Sequence, residues 1–319
     1  MNMIDIVFLG TPHFAVNSLK ALVENHYNIK AVICQPDRPK GRGQASVLPP
    51  VKEYALNNGL KVFQPEKIKA PEAAEYLRQL APDLMITAAF GQILSAENLK
   101  VPPLGCVNVH ASLLPKYRGA APIQWAIING EKTTGITTMF TEVGLDCGDI
   151  ILKKETEILE NETAGELFER LAALGAQTLL ETVRLIETGK AIRTPQNHSE
   201  ATHFPMIKKQ DAIIDFSKIA MAIHNFVRGM NPSPVAYTML SGQVLKIYEA
   251  NSTGQAIPQD TKCGQVVFAD AKSGLLVAAA DQLIELKSIQ LPGKRIMDSK
   301  EFLRGHSIEA GTILGGGIL

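Results

Sequence analysis

Short apolar runs alternate with helical patterns along the first part of the chain, and this alternation constrains the fold more than any other feature. Ile4–Leu9 is an apolar run closed by a Gly-Thr-Pro turn, and the apolar residues of Phe14–Val23 then recur at helical spacing. Further strand patterns follow at residues 29–34, 84–89, 106–110 and 135–143. Strands that alternate with helices predict a parallel sheet covered on both faces.

The pattern changes after a long helical stretch at Thr163–Lys190. Residues 191–210 contain prolines and many polar residues, which predict a linker. One helical stretch and five short strand patterns follow, and they indicate a small barrel of the oligonucleotide-binding (OB) type. We therefore predict an α/β protein with a Rossmann-like parallel-sheet domain over residues 1–190 and an OB-like β-barrel domain over 211–319.

The composition leaves the class of partner open. Lysine plus arginine equals aspartate plus glutamate at 32 each, so any nucleic acid must be met by local patches. The sequence lacks the basic start of a signal peptide and any apolar run of the roughly 18 residues that span a bilayer. Its four cysteines form no Cys-x-x-Cys pair, which argues against a disulfide framework or zinc site. We expect a cytoplasmic monomer with free thiols, no metal and no membrane attachment.

Asn108 and His110 stand two residues apart, just before the apolar stretch Ala111–Pro115. In a strand, that spacing places both side chains on one face, with Cα atoms roughly 6.6 Å apart. An amide and an imidazole at this separation can act on one small carbonyl, as an oxyanion donor and a proton carrier. The alternative is a half-buried edge strand with two satisfied polar residues.

A second polar loop, Gly144–Asp149, holds Asp146 near flanking glycines. Like His110 it follows a strand pattern, so both should lie outside the carboxyl ends of the sheet strands, where ligands bind. The carboxylate would orient His110 and help to take the proton lost by an attacking amine. Alternatively, Asp146 only forms the turn by bonding its own backbone. Cys147 is predicted to pack, not to act as a nucleophile. Together with Asn108, these groups suit acyl transfer directly to an amine.

The sequence lacks the motifs that would indicate dinucleotide binding, P-loop phosphate transfer or covalent serine catalysis. The first turn, GTPHFA at residues 10–15, has one glycine where a dinucleotide-binding fingerprint needs three. Neither a P-loop nor a Gly-x-Ser-x-Gly elbow is present, which argues against P-loop phosphate transfer and covalent serine chemistry.

Five motifs stand out along the chain: FLGTPHFA at residues 8–15, QPDRPKGRG at 35–43, NVHASLLP at 108–115, YRGAAP at 117–122 and GLDCGD at 144–149. Through these motifs the chain resembles the methionyl-tRNA formyltransferase family over nearly its whole length. The Asn-x-His-x-Ser-Leu-Leu-Pro motif is specific for formyltransferases and hydrolases that use 10-formyltetrahydrofolate. The resemblance implies formyl transfer from that folate to the α-amino group of methionyl initiator tRNA, with Asn108, His110 and Asp146 as catalytic residues and no covalent enzyme intermediate.

The resemblance also assigns binding residues for the folate. These are the residues of the apolar turn, Ser112, Leu113, Leu114 and Pro115, which offer a wall for a pterin or aryl ring. Phe90 and Ile93, after another strand, are predicted as a second wall. The alternative for the turn is that it only fills the core.

The loop at 35–50 resembles the tRNA-engaging insertion of the family, so its basic residues are the predicted tRNA contacts. Arg38, Lys40 and Arg42 lie there, opposed only by Asp37, and long loops of this kind are usually functional or disordered. Arg42, between two glycines, is the predicted contact to a phosphate or to the acceptor end. A solvated surface loop is the alternative. The basic pair Lys208 and Lys209 in the linker is expected to contribute.

Three other functions compete with this prediction. An amino-sugar formyltransferase would share the folate motif and a barrel-like tail. A purine-pathway formyltransferase would need only the first domain, so the tail argues against it. A catalytically silent RNA-binding module would not need the intact Asn108, His110 and Asp146.

Overall fold

The computed structural model of the chain describes residues 4–39 and 46–315. They form two compact units. The first unit comprises Met1–Pro122, Thr133–Glu157 and Phe168–Phe204, and the second comprises Ile123–Lys132, Ile158–Leu167 and Pro205–Leu319. The domain limits at 190 and 211 stay a prediction, but the first unit continues through residue 204, well into the expected linker.

The strands of the first unit differ widely in length. In chain order they are β1 (Asp5–Gly10), β2 (Asn28–Ile33), β3 (Arg38–Pro39), β4 (Ser46–Val47), β5 (Val62–Phe63), β6 (Leu84–Ala88), β7 (Cys106–His110), β8 (Arg118–Gly119), β9 (Thr133–Phe140), β10 (Ile150–Glu157) and β11 (His203–Phe204). Within the described residues, one sheet has the order β10-β9-β7-β6-β1-β2-β5. The short strands pair separately, β3 with β4 and β8 with β11.

Direction divides the large sheet into two parts. Strands β5, β2, β1, β6 and β7 run parallel, which confirms the predicted parallel sheet. Strand β9 runs antiparallel to β7, and β10 runs antiparallel to β9. Every residue of β6 is buried, as expected for a parallel strand covered on both faces.

The helices before residue 190 are α1 (His13–Glu24), α2 (Pro50–Asn57), α3 (Pro71–Leu80), α4 (Ala96–Leu99), α5 (Pro122–Ile128) and α6 (Ala164–Glu187). Helices α1 and α6 lie at the helical stretches predicted at 14–23 and 163–190. Pro71 begins α3, where its missing N–H would have had no helical partner. In the described ranges, no helix combines the length and the apolar character needed to cross a bilayer.

The second unit contains an antiparallel sheet and several helices. Besides most of α5, its elements are α7 (Ala220–Met230), β12 (Ala236–Leu240), β13 (Gln243–Ser252), β14 (Val266–Asp270), β15 (Gly274–Ala278), β16 (Leu283–Gln290), β17 (Met297–Asp298) and α8 (Ser299–Phe302). The sheet order is β12-β13-β16-β15-β14, with β17 on β16. The predicted strands are confirmed, and no β12 to β14 pair closes the sheet within the described residues. OB-type barrels are themselves only partly closed.

Candidate active site

Strand β7 places the predicted amide and imidazole on one face. Val107 and Val109, on the opposite face, are 0% and 2% exposed, so both faces of the strand are occupied by packing. His110 is buried and Asn108 is half-buried. Hydrogen-bonded neighbours stand on both sides of Asn108, since β7 lies between β6 and β9. The site therefore rests on a central strand rather than on the edge strand of the alternative interpretation.

The hydrogen bonds of His110 identify which of its two ring nitrogens is protonated in the neutral imidazole. Its Nε2 lies 2.9 Å from the main-chain oxygen of Tyr117. A carbonyl can only accept, so Nε2 carries a proton in this contact. Nδ1 then faces Oδ1 of Asp146 at 3.7 Å. In the neutral imidazole, Nδ1 holds the free lone pair, which makes it the nitrogen that can take up and release a proton.

Asp146 is held by a main-chain donor outside its own loop. The amide N–H of Gly119 donates to Oδ2 at 2.8 Å, which leaves Oδ1 directed to His110. Asp146 has φ +50°, in the left-handed region that costs non-glycine residues on the order of 1 kcal/mol. At Gly119 φ is +113°, and a Cβ there would collide with the carbonyl oxygen of Phe204. A specific bond to Gly119 thus replaces the self-bonded turn considered above.

The path of the chain that brings Asp146 to His110 differs from the predicted path. Because β9 runs antiparallel to β7, its carboxyl end at Phe140 lies beside Val107, whereas His110 lies beside Thr137. The expectation that Asp146 follows a strand end at the same sheet edge as His110 is therefore wrong. The loop after β9 folds back along the strand and brings the carboxylate to the imidazole.

The orientation of the Asn108 amide is fixed by a buried threonine. Thr87 Oγ1, on β6, donates to Oδ1 of Asn108 at 2.9 Å. Within the described residues, Nδ2 of Asn108 has no hydrogen-bond partner of its own, so its N–H groups are available to a substrate oxygen. A free amide donor on a rigid strand is the arrangement that stabilises an oxyanion.

The apolar turn after β7 is partly core and partly surface. Ser112 and Leu114 are both 0% exposed, and the main chain of this pair is bonded to Thr137. Leu113 and Pro115 are half-buried. A ligand could therefore reach the side chains of Leu113 and Pro115, while Ser112 and Leu114 shape the turn from within. The folate roles of all four residues stay a prediction.

The second predicted folate wall, formed by Phe90 and Ile93, also has one buried and one exposed side chain. Phe90 is 4% exposed and packs in the core, and its carbonyl accepts hydrogen bonds from Thr11 and Gln35. Ile93 is 59% exposed. Because β6 and β7 are parallel neighbours, the segments that follow them leave the sheet at the same edge. Ile93 is thus the accessible apolar side chain of this wall.

The basic loop is described only at its base. Lys40 and Arg42 lie outside the described residues, and Arg38 is exposed at 3.7 Å from Glu66. Asp37, the acid expected to oppose the loop, binds Lys52 at 2.7 Å. Hydrogen bonds from Gln64 and then Lys52 lower the pKa of Asp37. Its charge is therefore already paired and does not neutralise the loop.

The other predicted tRNA contacts lie on the surface. Lys208 and Lys209 are exposed at a short 3-10 helix of the second unit.

All four cysteines are free, and Cys147 is half-buried. Burial raises the pKa of Cys34 to about 11 and that of Cys106 to about 12, so neither is a thiolate at neutral pH. In the described parts of the chain, no group of His, Cys, Asp and Glu side chains could hold a metal ion.

Two buried side chains near the site were not predicted from the sequence. Arg118 is 4% exposed and Gln196 is 6% exposed, and they bond to each other beside the Asp146 loop. Arg118 lies inside the YRGAAP motif, which was a usable signal. Gln196 lies in the expected linker, and nothing local distinguishes it from a solvated glutamine.

Comparison with known proteins shows which family models and which relatives the chain matches. Residues 4–183 match the model of the formyl transferase family, and residues 206–307 match that of the formyl transferase C-terminal domain. Over 310 residues, the chain is 49% identical to methionyl-tRNA formyltransferase of Acetivibrio thermocellus and 48% identical to that of Ruminiclostridium cellulolyticum. Each alignment covers 97% of this chain and 99% of the relative.

A solved structure shares the fold. It is that of WlaRD, a sugar 3N-formyl transferase in the presence of dTDP and 5-N-formyl-THF, with a TM-score of 0.67 and 23% identity over 92% of this chain and 100% of that one. The fold, the site and the matches together define a formyltransferase. Within that class, the chain belongs to the methionyl-tRNA formyltransferase family, as the resemblance predicted.

Proposed function

We propose that the chain transfers the formyl group of 10-formyltetrahydrofolate to the α-amino group of methionyl initiator tRNA, for translation initiation. The observation that carries the proposal is the convergence of three groups. Nδ1 of His110 faces Oδ1 of Asp146 at 3.7 Å, and Asn108 offers an amide donor from the same strand as His110. A proton carrier next to an oxyanion donor is what amine attack on a formyl group requires.

The chemistry is a direct transfer. The neutral amine attacks the formyl carbon, a C–N bond forms, and the carbonyl electron pair moves to oxygen. Nδ2 of Asn108 donates to that oxyanion. The folate N10 then leaves with the electron pair of its bond to the formyl carbon as the carbonyl reforms. One proton moves from the amine to N10, and Nδ1 of His110 carries it while Asp146 stabilises the imidazolium.

The surroundings of the site suit a folate. The exposed Ile93 and the half-buried Leu113 and Pro115 follow neighbouring parallel strands, so their segments leave the sheet at the same edge, where we place the folate. Apolar walls with a few polar groups are typical of small-molecule sites. Phe90, Ser112 and Leu114 would support these walls from the core.

The tRNA would be held by local basic patches. Arg38, Lys40 and Arg42 of the loop and the exposed Lys208 and Lys209 are the proposed contacts. Since Asp37 is paired with Lys52, the free charge of the loop is positive. Phosphate contacts of this kind give binding that weakens as salt concentration rises.

A panel of acceptors tests the proposed substrate. The purified chain is incubated with 10-formyltetrahydrofolate and methionyl initiator tRNA, methionyl elongator tRNA or a dTDP-linked amino sugar. We expect N-formylmethionyl product mainly from the initiator tRNA. Formylation of the sugar without formylation of the tRNA would assign the chain to the rival activity.

Arg42→Ala tests the role of the loop. We expect a several-fold higher KM for charged tRNA and an unchanged KM for the folate, because a phosphate contact is lost. Steady-state kinetics with each substrate varied in turn provide the measurement. The control is Arg78→Ala, which removes an exposed arginine of α3 that pairs with Glu75. Equal tRNA KM values for the two variants would contradict the role of Arg42.

Cys147→Ala tests the absence of a covalent intermediate. We expect turnover within about twofold of that of the unmodified chain, since the mechanism uses no thiol nucleophile. Mass spectrometry of the chain mixed with the folate alone complements the rate measurement. A formyl group attached to Cys147 would show that direct transfer is wrong.

The proposal includes a monomer that acts in the cytoplasm. Four free cysteines suit a reducing compartment, and the three proposed catalytic residues come from one chain. Light scattering of the purified chain at micromolar concentration tests the oligomeric state, and a dimeric mass would contradict the monomer.

A further inference from the structure

The segment 117–119 touches both members of the proposed proton route. The carbonyl of Tyr117 accepts from Nε2 of His110 at 2.9 Å, and the N–H of Gly119 donates to Oδ2 of Asp146 at 2.8 Å. Arg118 stands between these two contacts, so its position affects both. The main chain of this segment therefore sets the spacing between the imidazole and the carboxylate.

Gln196 connects Arg118 to the loop of Asp146. Nε and Nη2 of Arg118 donate to Oε1 of Gln196 at 3.2 and 2.6 Å. Nε2 of Gln196 donates to the main-chain oxygens of Asp146 and Gly148 at 3.0 and 2.7 Å. The carboxamide thus uses its oxygen for the guanidinium and both N–H groups for the loop.

This arrangement holds a loop that is unfavourable on its own. Asp146 adopts φ +50°, and such a conformation persists only where its surroundings determine it. Arg118 makes no ion pair with a carboxylate in the described residues, and its remaining side-chain partner is Nδ1 of His198 at 3.1 Å. A buried guanidinium without an opposite charge is costly, but its planar fork fixes the amide of Gln196 in one orientation.

We propose that Arg118 and Gln196 are positioning residues that keep Oδ1 of Asp146 facing Nδ1 of His110. The inference rests on the proposed function, because it assigns a role in that proton route. Neither side chain needs to touch a substrate. Gln196, in the first part of the predicted linker, thus belongs to the active site.

Gln196→Glu separates positioning from packing. The variant keeps the size of the side chain and gives Arg118 a carboxylate, but it removes both N–H donors and turns oxygens toward two carbonyls. We expect kcat to fall roughly 10- to 100-fold, as for other residues that orient a catalytic group, with both KM values within about threefold of the original. Gln177→Glu, an exposed glutamine on α6, is the matched control and should leave kcat unchanged.

A double-mutant cycle tests whether Gln196 acts through Asp146. In an Asp146→Asn background, Gln196→Glu should cause little further loss, because the carboxylate that it positions is already absent. Multiplying losses would overturn the inference. If Gln196→Glu does not fold, Gln196→Met, of similar length and without donors, should show the same kcat loss.

The outcomes separate the inference from the proposed function. Failure of the unmodified chain to formylate methionyl-tRNA would overturn the proposed function. An active unmodified chain together with a folded, fully active Gln196→Glu variant would overturn the inference alone. Amide hydrogen exchange at residues 144–148 provides a readout without catalysis, and faster exchange in Gln196→Glu than in Gln177→Glu is expected.

Discussion

Replacing His110 with alanine is expected to lower kcat by about 10² to 10⁴. In the proposed mechanism the imidazole carries the proton from the attacking amine to the folate nitrogen, and its Nδ1 faces Asp146 at 3.7 Å. Without it, the proton would have to pass through water. The KM values should change less, since His110 is 6% exposed and offers little contact area to either substrate. Single-turnover formylation with saturating substrates provides the measurement.

A second histidine variant controls for nonspecific effects. His26→Asn removes an exposed imidazole at the end of α1, and asparagine tolerates the positive φ of that position. It should be fully active. Near-normal turnover by purified, folded His110→Ala would mean that another group moves the proton, and the assignment of His110 would be wrong.

Replacing Asn108 with alanine is expected to lower kcat by about 10² to 10³. The amide is held by Thr87 on a central strand, and in the proposed mechanism its N–H groups donate to the developing oxyanion. Because this bond strengthens as negative charge develops on oxygen, the loss should fall on kcat more than on KM. The rate of N-formylmethionyl-tRNA formation, with each substrate varied, measures both constants.

Two further variants make the Asn108 experiment specific. Asn108→Asp has nearly the same size but presents acceptors instead of donors, so it should be at least as inactive as Asn108→Ala. Asn57→Ala, at the exposed end of α2, should behave as the unmodified chain. A loss that appears only as a raised folate KM would indicate a binding role for Asn108 in place of oxyanion stabilisation.

Local patterns predicted the parts of this site that depend on local geometry. The two-residue spacing of Asn108 and His110 fixes their common face in any strand, and the parallel sheet followed from the alternation of strands and helices. These features need only information from neighbouring residues.

Features set by distant contacts could not be predicted in this way. The apolar pattern of a strand does not encode its direction, so the sequence predicts β9 among the parallel strands, although β9 runs antiparallel to β7. The hydrogen-bond partners of Gln196 lie 48 to 78 residues away in the sequence, and no pattern in residues 191–210 indicates them. Residues 113–115 are all apolar, yet only tertiary packing decides that Leu114 is buried while Pro115 stays half-buried.

Direct formyl transfer from the folate to methionyl initiator tRNA at this site can be followed in one turnover. The measurement is rapid quench with the formyl group of 10-formyltetrahydrofolate radiolabelled. We expect labelled N-formylmethionyl-tRNA to appear at the rate at which labelled folate disappears, with no label on the protein at any time. Label that accumulates on the protein before it reaches the tRNA, or that never reaches the tRNA, would contradict direct transfer.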